Sequence, residues 1–271
     1  PNVVRIYDAG SEGETYFIVM EYVSGGSVKE LMTERSALLP MEDALEIVMG
    51  ATQGLAAAAR YGIVHRDIKP ANIMLTEEGV TKLSDLGLAR STLSGISAPD
   101  VTATGVILGT PLYMSPEQAV DFKTADIRAD IYSLGVTFYH MLTGVPPFRG
   151  ENPMAIMLHH INSELPDPRR ERPEIPVEAC QLLEKMTKKA PAERYQTPDE
   201  LAEDLHNLWI QVHSGETGTM LHPPPPVSPY ACPNCRRIVS ESEHFCPQCG
   251  TALMRTCPEC EEASRSDVRF C

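Results

Sequence analysis

The sequence predicts an α+β fold: a small β-rich start, then a helical body, then a cysteine-paired tail. Three observations carry this. Runs rich in β-branched and aromatic residues come first. Apolar residues at 3.6-residue spacing dominate after residue 40. Seven of the eight cysteines fall between residues 232 and 271. In chain order, residues 3–7 and 16–22 read as strands around a turn at residues 10–13, and Gly25-Gly26 ends the pattern. Ala44, Leu45, Val48, Ala51, Leu55 and Ala58 mark a helix over residues 41–61. Short strands follow at residues 73–75 and 81–83, then helices over residues 127–143, 153–161, 176–187 and 198–209. Residues 214–230, SGETGTMLHPPPPVSPY, can neither bury a core nor keep a hydrogen-bond ladder, and read as an extended linker. The domains are therefore residues 1–213, the linker 214–230, a cysteine ribbon at 231–252 and a second, incomplete one at 253–271.

Composition narrows the classes of partner. The chain has 271 residues and a net charge of −14, which argues against a general nucleic-acid or anionic-membrane binder. No run of about 18 uncharged apolar residues is present, so the sequence holds no membrane segment. Residue 1 is Pro rather than Met and no secretory leader follows, which leads to the expectation of a fragment and of cytoplasmic localisation.

Residues 65–72 read His-Arg-Asp-Ile-Lys-Pro-Ala-Asn; thirteen residues after Asn72 comes Asp85-Leu86-Gly87, and thirty after Asp85 comes Ser115-Pro116-Glu117. Each piece alone is weak. In this order and spacing they match HRDxxxxN, DFG and APE. The chain thus resembles bacterial-type (Hanks-type) serine/threonine protein kinases from residue 1 to about 210. The resemblance implies a protein-kinase-like fold, with part of a small β lobe on a helical large lobe. It also implies ATP and Mg²⁺ as cofactors, and protein Ser/Thr hydroxyls as substrates.

Residue by residue, the resemblance makes Asp67 the acceptor of the substrate hydroxyl proton and Lys69 the point charge for the transferring phosphate. Asn72 and Asp85 are the hard oxygen ligands for Mg²⁺. Met20, Glu21 and Val23 look like the adenine-contacting hinge, with Met20 as gatekeeper and Met74 as floor. Leu86 stands where Phe is more frequent, in an apolar column with His65 and Ile6. Thr102 and Thr104 sit where the family autophosphorylates, with Arg66 as the expected partner of a phosphate. Thr110 helps shape the substrate shelf. Glu117 and Arg194 resemble a buried ion pair, and Asp130 an anchor for the catalytic loop. On the residues alone, Cys180 reads as core, His159 and His160 as a solvated helix face, and Arg169, Arg170 and Arg172 as a solvated turn.

The family's Gly-rich phosphate loop, its strand Lys and that Lys's Glu partner are not among these residues. The sequence therefore leads to two readings: a fragment, itself with little activity, of a complete kinase, or a non-catalytic kinase-like scaffold recruiting partners through its ribbons. The intact set Asp67, Lys69, Asn72 and Asp85 favours the first.

In the tail, Cys232-Pro-Asn-Cys235, ten residues, then Cys246-Pro-Gln-Cys249 has the spacing of a four-thiolate zinc ribbon. Cys257, Cys260 and Cys271 each lie 25 residues after Cys232, Cys235 and Cys246, and Phe270 repeats Phe245. This is a second Zn²⁺ ribbon whose fourth ligand is expected at position 274. Four thiolates leave no open catalytic position, so the ribbons read as a protein-interaction module.

Overall fold

The computed structural model describes residues 1–13, 15–35, 38–86 and 111–214, together with the backbone of residues 254–256 and 263–265. These belong to two compact units, Pro1–Gly215 and Glu216–Cys271.

The first unit opens with strands β1 (Ile6–Glu12) and β2 (Thr15–Met20), paired antiparallel from Ile6 opposite Met20 to Glu12 opposite Thr15. The expected strand over residues 3–7 is displaced, for a visible reason. Val3 bridges Leu83 in parallel and Val4 N–H donates to the Leu83 carbonyl at 2.9 Å, so these two valines serve a different sheet. β1 then runs through Gly10, and the reversal falls at Gly13, whose φ of 62° suits a residue without Cβ. Ile6, expected in an apolar column, is 57% exposed, because both faces of this hairpin are largely uncovered among the described residues.

Helix α1 (Val28–Glu34) was not expected from periodicity, being only two turns long. Its start is written in a capping box: Ser27 Oγ accepts from Glu30 N–H and the Glu30 carboxylate accepts from Ser27 N–H at 2.7 Å. Helix α2 (Met41–Ala59) buries Ala44, Leu45, Val48, Ala51 and Leu55 as their spacing requires. Strands β3 (Ile73–Leu75) and β4 (Thr81–Leu83) pair antiparallel, at the residues the sequence indicated. A Cβ at Gly54 of α2 would lie 2.5 Å from the Asn2 carbonyl and 2.9 Å from Leu83, so glycine is what lets the chain start and β4 lie against this helix.

After residue 110 the described chain is helical: α3 (Pro116–Val120), α4 (Ile127–Thr143), α5 (Pro153–Asn162), α6 (Val177–Met186) and α7 (Pro198–Ser214). Single 3₁₀ turns stand at Pro70–Asn72, Phe122–Thr124, Pro168–Arg170 and Pro191–Glu193. α7 runs five residues past its expected end. α4 is buried almost throughout and stops at Gly144, which takes a left-handed φ of 74°. α2, α4, α6 and α7 share one apolar core with β3 and β4, including Leu55, Ile73, Leu83, Leu134, Leu183 and Leu205; Cys180 packs against it, half-buried.

Two surface expectations are corrected. His160 is fully buried, its Nδ1 2.9 Å from Tyr132 Oη and its ring edge-on to Phe148; only His159 is exposed. Arg172 is not a solvated residue: its Nη1 donates to the Leu39 carbonyl at 2.7 Å, tying this turn to the segment before α2.

In the second unit, β5 (Met254–Thr256) pairs antiparallel with β6 (Ala263–Arg265), with Arg255 opposite Ser264. Cys257 and Cys260 lie in the connection between the two strands in sequence.

Candidate active site

The loop entering the Pro70–Asn72 turn brings two side chains onto one carboxylate. Asp67 Oδ2 accepts from Lys69 Nζ at 2.6 Å and from Asn72 Nδ2 at 2.9 Å, and Asn72 Nδ2 also donates to the Asp67 carbonyl at 2.8 Å. Asn72 is buried, whereas Asp67 is open to solvent. With its amide hydrogens turned to Asp67, Asn72 keeps Oδ1 as the atom able to meet a cation. Ser84 N–H donates to the Asn72 carbonyl at 3.0 Å, and Ser84 Oγ donates to the same atom at 3.2 Å. This fixes the exposed Asp85, the residue after Ser84 and the second after β4's end, beside the Asn72 turn. Asp85 has a φ of 59°, a left-handed conformation that short acidic residues tolerate better than most.

Beneath the loop, Asp130 on α4 is fully buried and accepts from the backbone N–H of both His65 and Arg66, each at 2.7 Å. Burial pushes its carboxyl above the usual range, opposed by those two donors and by the Arg66 charge. Arg66 is held at φ 66°, unfavourable for a long side chain. It is pinned from both sides: Asp130 takes its N–H, and Gln118 Nε2 donates to its carbonyl at 2.8 Å. The Arg66 guanidinium lies over the Phe122 ring, and its Nη2 reaches the Ala125 carbonyl at 3.3 Å. Its buried Nε has no partner among the described residues. His65 is buried with Nε2 2.8 Å from the Ser84 carbonyl. Burial lowers its basicity more than that carbonyl and the Asp67 charge raise it.

The segment after β2 forms the other side. Glu21 N–H donates to the Arg5 carbonyl at 2.8 Å, Val23 is buried, Met20 is exposed at the end of β2, and Met74 on β3 is half-buried. Ser27 bridges Met74, and Leu75 N–H donates to the Gly26 carbonyl at 2.9 Å, so the segment is stitched to β3 where it leaves. A Cβ at Gly25 would fall 2.5 Å from the Leu75 carbonyl. Farther off, Arg194 meets Glu117 through two nitrogens at 2.7 and 2.8 Å. It also donates to the carbonyls of Lys188, Lys189 and Arg128, with its side chain fully buried.

Residues 1–209 match the family described as protein kinase domain. The chain belongs to the protein kinase domain family. Residues 232–271 match a second family, double zinc ribbon. The kinase unit is similar to bacterial proteins. A probable serine/threonine-protein kinase of Clostridium perfringens is 40% identical over 208 residues, covering 77% of this chain and 30% of that protein. Serine/threonine-protein kinase PrkC of Bacillus subtilis is 40% identical over 205 residues, covering 76% and 31%. PknL of Mycobacterium tuberculosis is 39% identical over 206 residues, covering 76% and 50%. The chain therefore spans only about a third to a half of these relatives. A crystal structure of Rad53 residues 1–466 in complex with AMP-PNP shares the fold, with a TM-score of 0.62 at 24% identity over 78% of this chain and 51% of that one.

In the kinase unit the structure thus brings Asp67, Lys69 and Asn72 together, places Asp85 next to them, and hangs His65 and Arg66 from Asp130. The ion pair of Glu117 with Arg194 forms as the resemblance implied. Thr102, Thr104, Thr110 and Gly87 lie outside the described residues, as do Cys232, Cys235, Cys246, Cys249, Cys257, Cys260 and Cys271. Sequence reasoning missed Gln118, Ser84 and Lys82. Gln118 was findable, because Ser115 and Gln118 form a second capping box. Two of the three hydrogen bonds of Ser84 use its backbone N–H and carbonyl, which leave no compositional trace.

Proposed function

We propose that the protein containing this chain transfers the γ-phosphate of ATP to serine or threonine hydroxyls of other proteins. The observation that carries the reading is the shared hydrogen bonding at Asp67 Oδ2 by Lys69 and Asn72. In phosphoryl transfer the protein positions groups and neutralises charge more than it breaks bonds. Asp67 is placed to accept the proton of the attacking hydroxyl, and Lys69 carries positive charge to the oxygens of the transferring group. Asn72 Oδ1 and the Asp85 carboxylate are a hard donor set that fits Mg²⁺, and bound Mg²⁺ supplies charge neutralisation at the ATP phosphates. Backbone groups of Glu21 and Val23 contact the adenine between Met20 and Met74. Thr102 and Thr104 are the phosphorylation sites, and Arg66, whose Nε has no partner among the described residues, is the residue that receives the added charge.

The test is γ-phosphate transfer by the full-length protein, with Asp67→Asn as control. Turnover should fall roughly 10³-fold in that variant, the scale of a lost general base. Full-length protein that transfers no phosphate but still captures partners through its tail would favour the scaffold reading. A polypeptide of these 271 residues alone should turn over little, since the family's Gly-rich phosphate loop and its V-A-I-K-type strand Lys are not among them.

For the tail, four thiolates at Cys232, Cys235, Cys246 and Cys249 suit a closed structural Zn²⁺ site, with Cys257, Cys260 and Cys271 in a second. The ribbons serve as a protein-interaction module. A chain extended past residue 271 should hold two Zn²⁺ by atomic emission; one would remove the second site and the cysteine expected at position 274.

A further inference from the structure

Lys82 is a lysine on a three-residue strand inside the kinase unit, and its side chain is only 11% exposed. The reactions assigned to Asp67, Lys69, Asn72 and Asp85 do not use it. Its ammonium reaches both oxygens of the Glu21 carboxylate, at 2.9 and 3.1 Å, and Glu21 is itself only 23% exposed. Arg5 N–H donates to Glu21 Oε2 at 3.1 Å, and Glu21 N–H donates back to the Arg5 carbonyl at 2.8 Å. Burial pushes the Glu21 carboxyl up, but the Lys82 hydrogen bond, the Arg5 N–H and both cationic charges outweigh it and hold it below the usual range.

The two ends of this pair sit at different working parts. Glu21 opens the segment assigned to adenine. Lys82 lies on β4, three residues before Asp85. Lys82 pairs with Met74 across the β3–β4 ladder, and Met74 is the adenine floor in the same reading. A surface ion pair is worth little. This one is largely removed from water and made to both carboxylate oxygens, so losing one partner strands a charge.

We propose that Lys82 and Glu21 are positioning residues for nucleotide recognition, locking the adenine-contacting backbone to the strand that leads into Asp85. The inference rests on the kinase reading above. It goes beyond that reading by assigning adenine affinity to two side chains that touch no part of the nucleotide.

The test is titration calorimetry on the full-length protein with three ligands: ADP with Mg²⁺, adenosine, and pyrophosphate with Mg²⁺. The variants are Lys82→Met, Glu21→Gln, both together, and Lys82→Arg. Each single neutral variant should weaken adenosine and ADP roughly tenfold, the scale of a small misplacement of binding groups. Pyrophosphate, which has no adenine, should keep its affinity. The double variant should lose no more than either single one, and Lys82→Arg should recover most of the loss. A purely structural role would weaken all three ligands alike. If a single variant fails to fold, the double variant, which leaves no stranded charge, still gives the adenosine-to-pyrophosphate comparison. Adenosine affinity unchanged or raised in the double variant overturns the inference, as does equal loss of pyrophosphate. Wild-type protein that binds no ADP overturns the kinase reading itself, and this inference with it.

Discussion

Two residues of the catalytic loop region carry left-handed backbone, Arg66 at φ 66° and Asp85 at φ 59°; Arg66 is bracketed by hydrogen bonds from elsewhere, and Ser84, just before Asp85, is tied to the Asn72 carbonyl and to His65. A non-glycine residue in this region costs about 1–3 kcal/mol, so the surroundings must impose it. For Arg66 the imposing group is Asp130. Truncating it by Asp130→Ala leaves two buried N–H groups without an acceptor, each costing about 1–3 kcal/mol. We expect Asp130→Ala to lower stability by about 3 kcal/mol in denaturant titration and to abolish phosphate transfer, although the residue touches no substrate. Retained activity at normal stability would show that Asp130 does not hold the loop.

At the scale of elements, α1 exists because Ser27 and Glu30 satisfy each other's end of the helix. Ser27→Ala should cost about 1 kcal/mol, seen as a lowered midpoint of unfolding. α5 carries a different liability. Its His160 is buried, and burial together with the nearby Lys189 charge lowers its pKa to about 4, against 6.5 when free. The unfolded chain therefore takes up this proton first as pH falls. Stability from His160 is intact above about pH 6.5, declines between 6.5 and 4, and by pH 4 has fallen by about 3 kcal/mol. His160→Phe should flatten that part of the stability-pH curve; an unchanged slope would assign the acid sensitivity to other groups.

The same elements show what was legible in the sequence. β3, β4 and α4 were readable because local pattern and final burial agree. The helical period also puts His160 on the face of the buried Ile156, four residues back, with His159 turned outward, so that error was one of residue weighting rather than of missing signal. The strand at residues 3–7 was different. A run of valines indicates pairing but not the partner, and β4 captures Val3 and Val4 only in the folded chain. Likewise Asp67, Lys69, Asn72 and Asp85 were legible from spacing, whereas the Lys82–Glu21 pair joins residues 61 apart with no motif between them.

For the whole molecule, the pair of Arg194 with Glu117 holds α3 against the segment between α6 and α7. Breaking it from one side, as in Glu117→Gln, should cost about 3–5 kcal/mol, because Arg194 stays buried with its charge uncompensated. Replacing both residues with apolar side chains should cost less than the single change, measured on the same unfolding curves. The tail forms a separate compact unit, so chelating Zn²⁺ should unfold the ribbons while the unfolding temperature of the kinase unit stays constant. A shift of that temperature would mean the two units support each other.

The capture of Val3 and Val4 by β4 has a mechanical consequence. Val4 is bonded to the large lobe at Leu83, and Ile6 already belongs to the hairpin, so Arg5 alone lies between. On the return path, Met20 is the last hairpin residue and Ser27 is again bridged to Met74. Any swing of the hairpin relative to the helical body must turn about Arg5 on one side and residues 21–26 on the other. The Arg5 and Glu21 N–H groups are themselves hydrogen-bonded, so amide exchange should find that turn as a short stretch of fast-exchanging positions at residues 22–25 between two slow ladders.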